Sequence, residues 1–288
     1  ELEALTGRVL YRRTGMLMLA SPDAALAGLH GQAGFFGRTE ALARQFGIAH
    51  ERLDAHAVRE RFPAFAMGDG DSAYFEPDAG LLHPEACIAA QLEVARRHGA
   101  QLRLGEAMLA LDASGDGRNT RASGAGASVR TARGTYQAAH VVLCTGAWLP
   151  GQVGGPLAAP RLRVLRQVLH WFATEQPGWY EPAHCPVFIW LHGPREEDAM
   201  YGFPMGDGQP GVKVATEQTA QETDPDAVDR NIAAAEVQAM FEQHVQGRLR
   251  GLLPRTVHCA TCLYTMAADG RFVVDRHPRI DAVTLVSP

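Results

Sequence analysis

The sequence holds 288 residues, 46% hydrophobic and 20% charged, with a net charge of −5. That length predicts two domains of ordinary size, and the mixed placement of Arg with Asp and Glu, without a basic block, argues against nucleic acid as a partner. No stretch approaches the ~18 consecutive apolar residues of a membrane-spanning helix, so small molecules remain as the expected ligands.

The opening ELEALTGRVLYRR has neither the charged-then-apolar order nor the cleavage site of a signal peptide, and a cytoplasmic location is expected. The five cysteines, Cys87, Cys144, Cys185, Cys259 and Cys262, are odd in number and scattered, which predicts reduced thiols rather than a disulfide framework. Glu1–Leu5 reads as the last turns of a helix stopped at Gly7, and Val283–Val286 as a closing apolar strand; the chain therefore reads as a piece of a longer one.

Between these ends, RVLYRRTGMLMLA (8–20) alternates like strand with a Thr-Gly turn inside it. Apolar spacing of three and four residues predicts helices around 22–46 and 52–61. HPEACIAAQLEVARRHGA (83–100) carries Pro84 and Glu85 in its first turn, Arg96 and Arg97 in its last, and Gly99 as its stop. Short strands are expected over 101–146, joined by the Gly/Ser-rich loop 114–127. VVLCTG (141–146) has the continuous apolar run of a strand buried on both faces of a parallel sheet. Longer strands fill 161–216, a helix is expected over 225–245, and VHCATCLYTM and RFVVDRHP read as strands. The order predicts an α/β domain joined to an α+β one.

A literal GxGxxG at Gly206–Gly211 is rejected as a nucleotide fingerprint, because Pro210 and strand-like sequence follow where a helix must open. HCATC (258–262) resembles half of a zinc site, a redox pair or a haem attachment. It lacks a second ligand pair, a helix start and a histidine after the second cysteine, respectively; two inert thiols are the plain alternative.

Tyr201-Gly202-Phe203-Pro204, then Gly211-Val212-Lys213, then Cys262-Leu263-Tyr264-Thr265 leading to Asp269, Phe272 and Asp275-Arg276-His277-Pro278 form one ordered set. Together with FEPDAGLLHPEACI (75–88), VVLCTGAW (141–148) and RQVLHWF (166–172), this set resembles the monomeric sarcosine oxidase and N-methyltryptophan oxidase family of FAD-dependent amino-acid oxidases. The resemblance covers nearly the whole chain.

It implies FAD bound covalently through the sulfur of Cys262, with Cys259 left to packing. It also implies that Lys213 activates dioxygen and that Tyr201 orients the substrate carboxylate. A snorkelling surface lysine and a core tyrosine are the plain alternatives for the last two. Thr145 and Gly146 fit a small-residue turn where cofactor approaches a strand end; Arg166 lies with Trp171 in the strand covering the flavin in relatives, a structural ion pair being its other reading. Trp148 is expected in packing, and Asp269 and Asp275 in turns and ion pairs. The implied domains are 75–158 with 263–288 for FAD, lacking its first βαβ unit, and 1–74 with 159–262 for substrate on a mixed, largely antiparallel sheet. The implied partners are a secondary amine or N-methyl amino acid and dioxygen, with no metal, acting on a monomer. Two departures stand out. Glu217 occupies the place of a family pocket histidine, and the family's dinucleotide unit and its carboxylate-binding lysine segment would lie before Glu1 and after Pro288. The competing functions are an inactive fragment or metal-binding module using HCATC, and an amine dehydrogenase of the same fold.

Overall fold

The computed structural model describes residues 1–26, 33–113, 126–153, 162–206 and 210–287. In chain order the elements are α1 (Leu2–Thr6), β1 (Tyr11–Arg13), β2 (Met16–Ala20), α2 (Phe35–Gln45), β3 (Glu51–Asp54), α3 (Ala55–Arg61), β4 (Ser72–Glu76), β5 (Gly80–Leu82) and α4 (Pro84–Arg97). There follow β6 (Met108–Ala113), β7 (Ala127–Thr131), β8 (Gly134–Ala138), β9 (Val141–Leu143), α5 (Leu149–Val153), β10 (Leu162–Thr174), β11 (Val187–Leu191), β12 (Ala199–Phe203) and β13 (Val212–Ala215). The last are α6 (Ala234–Met240), β14 (Leu252–Ala267), β15 (Val273–Arg276) and β16 (Val283–Ser287). They group into a first unit of Glu1–Val94, Gln167–Thr219 and Asp229–Cys262, and a second of Ala95–Arg166, Ala220–Val228 and Leu263–Pro288. The expected mixture of α/β and α+β architecture, with a large mixed sheet, is what the chain forms.

In the first unit a sheet runs β14-β10-β13-β12-β11-β2-β4-β3. β11 and β2 are parallel, while β10–β13, β13–β12, β12–β11, β2–β4 and β4–β3 are antiparallel. One face sets Leu17, Phe75, Phe172, Phe188, Val212 and Val214 against Val58 of α3, Phe62 just after it and Met240 of α6. Each such side chain contributes about 1.5–3 kcal/mol by leaving water. On the other face, at the β2–β4 end, Met18 and Tyr74 pack on Phe36 and Ala43 of α2. β2 is therefore covered on both sides, which is why MLMLA is an unbroken apolar run and not the alternating strand expected. Gly202 of β12 has no alternative: a Cβ there would lie 2.6 Å from the Lys213 carbonyl and 2.2 Å from the Phe188 ring.

Helix boundaries differ from expectation for identifiable reasons. Residues 51–54 pair with β4 as an edge strand before Asp54 caps α3 by accepting the Ala57 N–H at 2.8 Å. Residues 225–233 do not join α6. There the side chains of Asp224 and Asp229 take the N–H groups of Asp226 and Asn231 at 2.8 and 2.9 Å, a local competitor of helix. The stretch expected as one helix from 22 is a 3-10 turn over Pro22–Leu26 and then α2; residues 27–32 lie outside the described residues.

The second unit holds two three-stranded sheets, β6-β7-β8 and β15-β16-β9. Leu143, Leu149, Val153, Leu162, Val283 and Leu285 form its core. β9 corrects the reading of a strand buried on both faces. It pairs parallel with β16 alone among the described residues and leaves Val142 56% exposed, while Val141 and Leu143 face the core. Strand begins at Met108 rather than 101, and residues 114–125 of the expected loop, like Asp207–Gln209 of the glycine motif, lie outside the described residues.

After α6 a single π turn, Phe241–Val245, brings His244 Nδ1 to 3.0 Å from His192 Nε2. Such a bond needs one neutral ring to accept. Burial, then Arg248 and His244, pushes the His192 pKa from its usual 6.5 to about 4, and burial with Arg248 lowers that of His244. Between pH 6.5 and 4 the unfolded chain binds a proton at His192 that the folded chain refuses, so stability falls as pH falls across that window. Unfolding free energies from urea titrations at pH 7 and pH 4.5 should differ by roughly 2 kcal/mol from His192, and a His192→Gln variant should lose most of the difference; an unchanged pH slope in the variant would contradict the assignment.

Candidate functional site

The face opposite the Phe172–Val214 core carries a cross-strand row. Trp171 of β10 stands opposite Lys213 of β13, and Phe203 of β12 flanks Lys213 on its other side. Side chains so paired share a sheet face and touch. Lys213 Nζ lies 4.8 Å from the Phe203 ring centre and 5.4 Å from that of Trp171, an ammonium set between two π faces. Half-burial lowers its proton affinity, and the nearby Cys262 and Glu85 offset that only in part.

Tyr201, two residues before Phe203 and so on the same face, meets the Phe203 ring edge-on at 6.2 Å. On β14 the His258 ring lies 4.8 Å from Trp171. Cys262, four residues further along the strand, returns to that face. Its thiol pKa is pushed up by burial and pulled back by the charge of Lys213. Cys259 stands three positions from Cys262 and so points the other way, where its thiol donates to Thr256 Oγ1 at 3.2 Å. His258, Cys259 and Cys262 do not converge on one point, so the zinc-like spacing of HCATC has no zinc-like geometry.

Tyr201, Lys213 and Cys262, three of the six residues expected at the site, thus share one face of the first unit. The other three, Thr145, Gly146 and Arg166, belong to the second. Thr145 and Gly146 follow β9, Gly146 in the left-handed region at φ 53, where a Cβ would be strained. Thr145 Oγ1 is shielded from solvent and has no hydrogen-bond partner. A buried hydroxyl left this way calls for a polar ligand, and a strand end leading into a helix is where nucleotide cofactors approach. Arg166 is 3% exposed, its backbone N–H donating to the Gln221 carbonyl at 3.1 Å. Glu217 lies just past β13, half-buried. The next peptide is fixed by the buried amide of Gln167, which donates to the Gln218 carbonyl at 2.6 Å and accepts its N–H at 2.8 Å. Trp148 is not packed away as expected. It is 46% exposed and donates from Nε1 to Asp226 Oδ1 at 2.8 Å.

Two signals went unread in the sequence. Of 27 lysines and arginines, Lys213 is the only lysine; every other basic side chain of that kind is a guanidinium that cannot lose its proton. His258 shares strand parity with Cys262, which marks it as a neighbour of the site independently of any metal motif.

Comparisons with known proteins extend this picture. Residues 1–287 match the family model for FAD dependent oxidoreductases. The chain is 35% identical over 293 aligned positions to monomeric sarcosine oxidase of Streptomyces avermitilis, covering 99% of this chain and 69% of that protein. It is 26% identical to N-methyl-L-tryptophan oxidase of Yersinia pestis, covering 100% and 70%. Among solved structures, NikD, an amino acid oxidase essential for nikkomycin biosynthesis, superposes with a TM-score of 0.78 at 21% identity, covering 99% of this chain and 70% of that one.

Proposed function

The chain belongs to the FAD-dependent oxidoreductase family, and from that membership we propose that it oxidises the C–N bond of N-methyl or secondary amino acids of the sarcosine or N-methyltryptophan type, with dioxygen as oxidant. The observation that carries this reading is the only lysine of the chain, held between Trp171 and Phe203 on the face shared with Cys262 and Tyr201. The 35% identity to a sarcosine oxidase supports it.

The residues of each unit, taken separately, suit FAD: in the second, Thr145 Oγ1 is an orphaned buried hydroxyl, Gly146 leaves room and Arg166 adds a buried positive charge; in the first, Cys262 offers sulfur for a covalent tether. FAD held there would supply the two-electron oxidant for the amine, with dioxygen as the final acceptor and hydrogen peroxide as the by-product. The FAD-binding role falls to 75–158 and 263–288 and the amine-binding role to 1–74 and 159–262. Tyr201 orients the substrate carboxylate through its hydroxyl. Trp171 and Phe203 give an apolar wall for the N-methyl group and keep water from it. Lys213 holds positive charge where dioxygen gains negative charge, and the same charge favours the thiolate form of Cys262. Water then hydrolyses the product imine, releasing the N-methyl carbon as formaldehyde.

Location and assembly follow as parts of the proposal. All five cysteines are free thiols, as suits the cytoplasm. No helix among the described residues is long and apolar enough to cross a membrane, and the enzyme acts as a monomer. The test is to purify the protein with FAD, look for yellow colour that stays with the acid-precipitated chain, and assay peroxide with sarcosine and with N-methyltryptophan. Bound flavin that neither amine reduces would overturn the substrate class.

A further inference from the structure

Lys213 is more than a fixed charge. The Trp171 and Phe203 rings that flank its Nζ give it apolar walls, and the nearby Cys262 and Glu85 offset its desolvation only in part. Half-burial favours the neutral form over that of an exposed lysine. Lysines desolvated against apolar walls are the ones that condense with carbonyl compounds. The chain has no other ε-amine to compete, its remaining Lys/Arg positions all being arginine.

We propose that Lys213 is a covalent, reversible capture site for small aldehydes, formaldehyde foremost. This rests on the proposed reaction for its aldehyde source, since oxidising an N-methyl group sets formaldehyde free at the site. The step balances without any oxidant. The Nζ lone pair adds to the carbonyl carbon while the carbonyl oxygen takes up a proton and Nζ loses one. The carbinolamine then loses its hydroxyl and the second Nζ proton as water, leaving Nζ=CH2. Product accumulation therefore withdraws the amine from its role toward dioxygen, and the enzyme is slowed by its own product until water reverses the imine.

The full-length protein is incubated at neutral pH with formaldehyde and cyanoborohydride, a reductant that fixes the imine as methylamine, with Nα-acetyl-lysine amide in the same tube. Intact mass and peptide mapping follow methylation at Lys213, with the amino terminus as internal reference and Lys213→Arg as the blank for the map. Lys213 should be methylated several-fold faster than the free amide. In a second arm without added aldehyde, sarcosine turnover with cyanoborohydride present should label Lys213 as well. Methylation confined to the amino terminus, or slower at Lys213 than in the free amide, would overturn the proposal. If peroxide forms from sarcosine and the added-aldehyde arm fails, the capture site alone is lost. If no peroxide forms, the proposed oxidase function is lost while the first arm still decides the chemistry of Lys213.

Discussion

Lys213→Met slows reoxidation of the reduced enzyme by dioxygen by about 100-fold to 1,000-fold, or roughly 3–4 kcal/mol of barrier, the range found when one preorganised charge-stabilising group is removed. Reduction by the amine changes far less, because hydride leaves the substrate without needing that charge. Methionine is the right replacement: it has the length to stay between the Trp171 and Phe203 rings, and sulfur packs well on aromatic faces. The fold should tolerate it, since half-burying an ammonium is itself costly. Stopped-flow traces of the two half-reactions, taken separately, check the prediction. Equal slowing of both would mean that Lys213 serves the site as scaffold and not as a charge toward dioxygen.

Much of this candidate site could be named from the chain because its motifs resemble those of an oxidase family, and strand periodicity explains why those motifs meet. Tyr201 and Phe203 are two apart, Lys213 falls opposite Phe203 and Trp171, and the antiparallel register turns separate motifs into one row. The motifs found the row, but they could not say which neighbour of Cys262 mattered. His258 was visible only as part of HCATC, where its adjacency to Cys259 suggested a ligand pair that the pleat pulls apart. Misread elements share another cause. Apolar spacing at 52–54 and 225–233 resembles helix, but hydrogen bonds decide there. The β4 edge takes residues 51–54, and the carboxylates of Asp224 and Asp229 capture backbone N–H groups that a helix would use. MLMLA and VVL are both unbroken apolar runs, yet β2 is covered on two faces and β9 on one. A run reports hydrophobicity, while the number of covered faces depends on what packs against it.

The opposed facing of the two cysteines predicts an all-or-none difference between their variants. In Cys262→Ser protein, reconstituted with FAD, all of the flavin should pass into the supernatant on acid precipitation. In Cys259→Ser protein it should stay with the pellet as in the parent. Serine is close to isosteric at the half-buried Cys262, and the local loss should be about 1 kcal/mol, too little to unfold the chain and mimic the result. At Cys259 the bond to Thr256 Oγ1 can be kept by a hydroxyl. Covalent flavin that survives in Cys262→Ser, or disappears in Cys259→Ser, would sink the tether assignment. The two residues argued at greatest length are also coupled. Burial disfavours the Cys262 thiolate and the Lys213 charge favours it, and thiolate is the form that attacks an electron-poor carbon. Lys213→Met apoprotein mixed with FAD should therefore acquire acid-stable flavin more slowly than the parent, with the deficit shrinking as pH rises and the thiol ionises unaided. A deficit constant with pH would instead trace the slower attachment to lost positioning, and would leave the lysine's charge with dioxygen as its single electrostatic role.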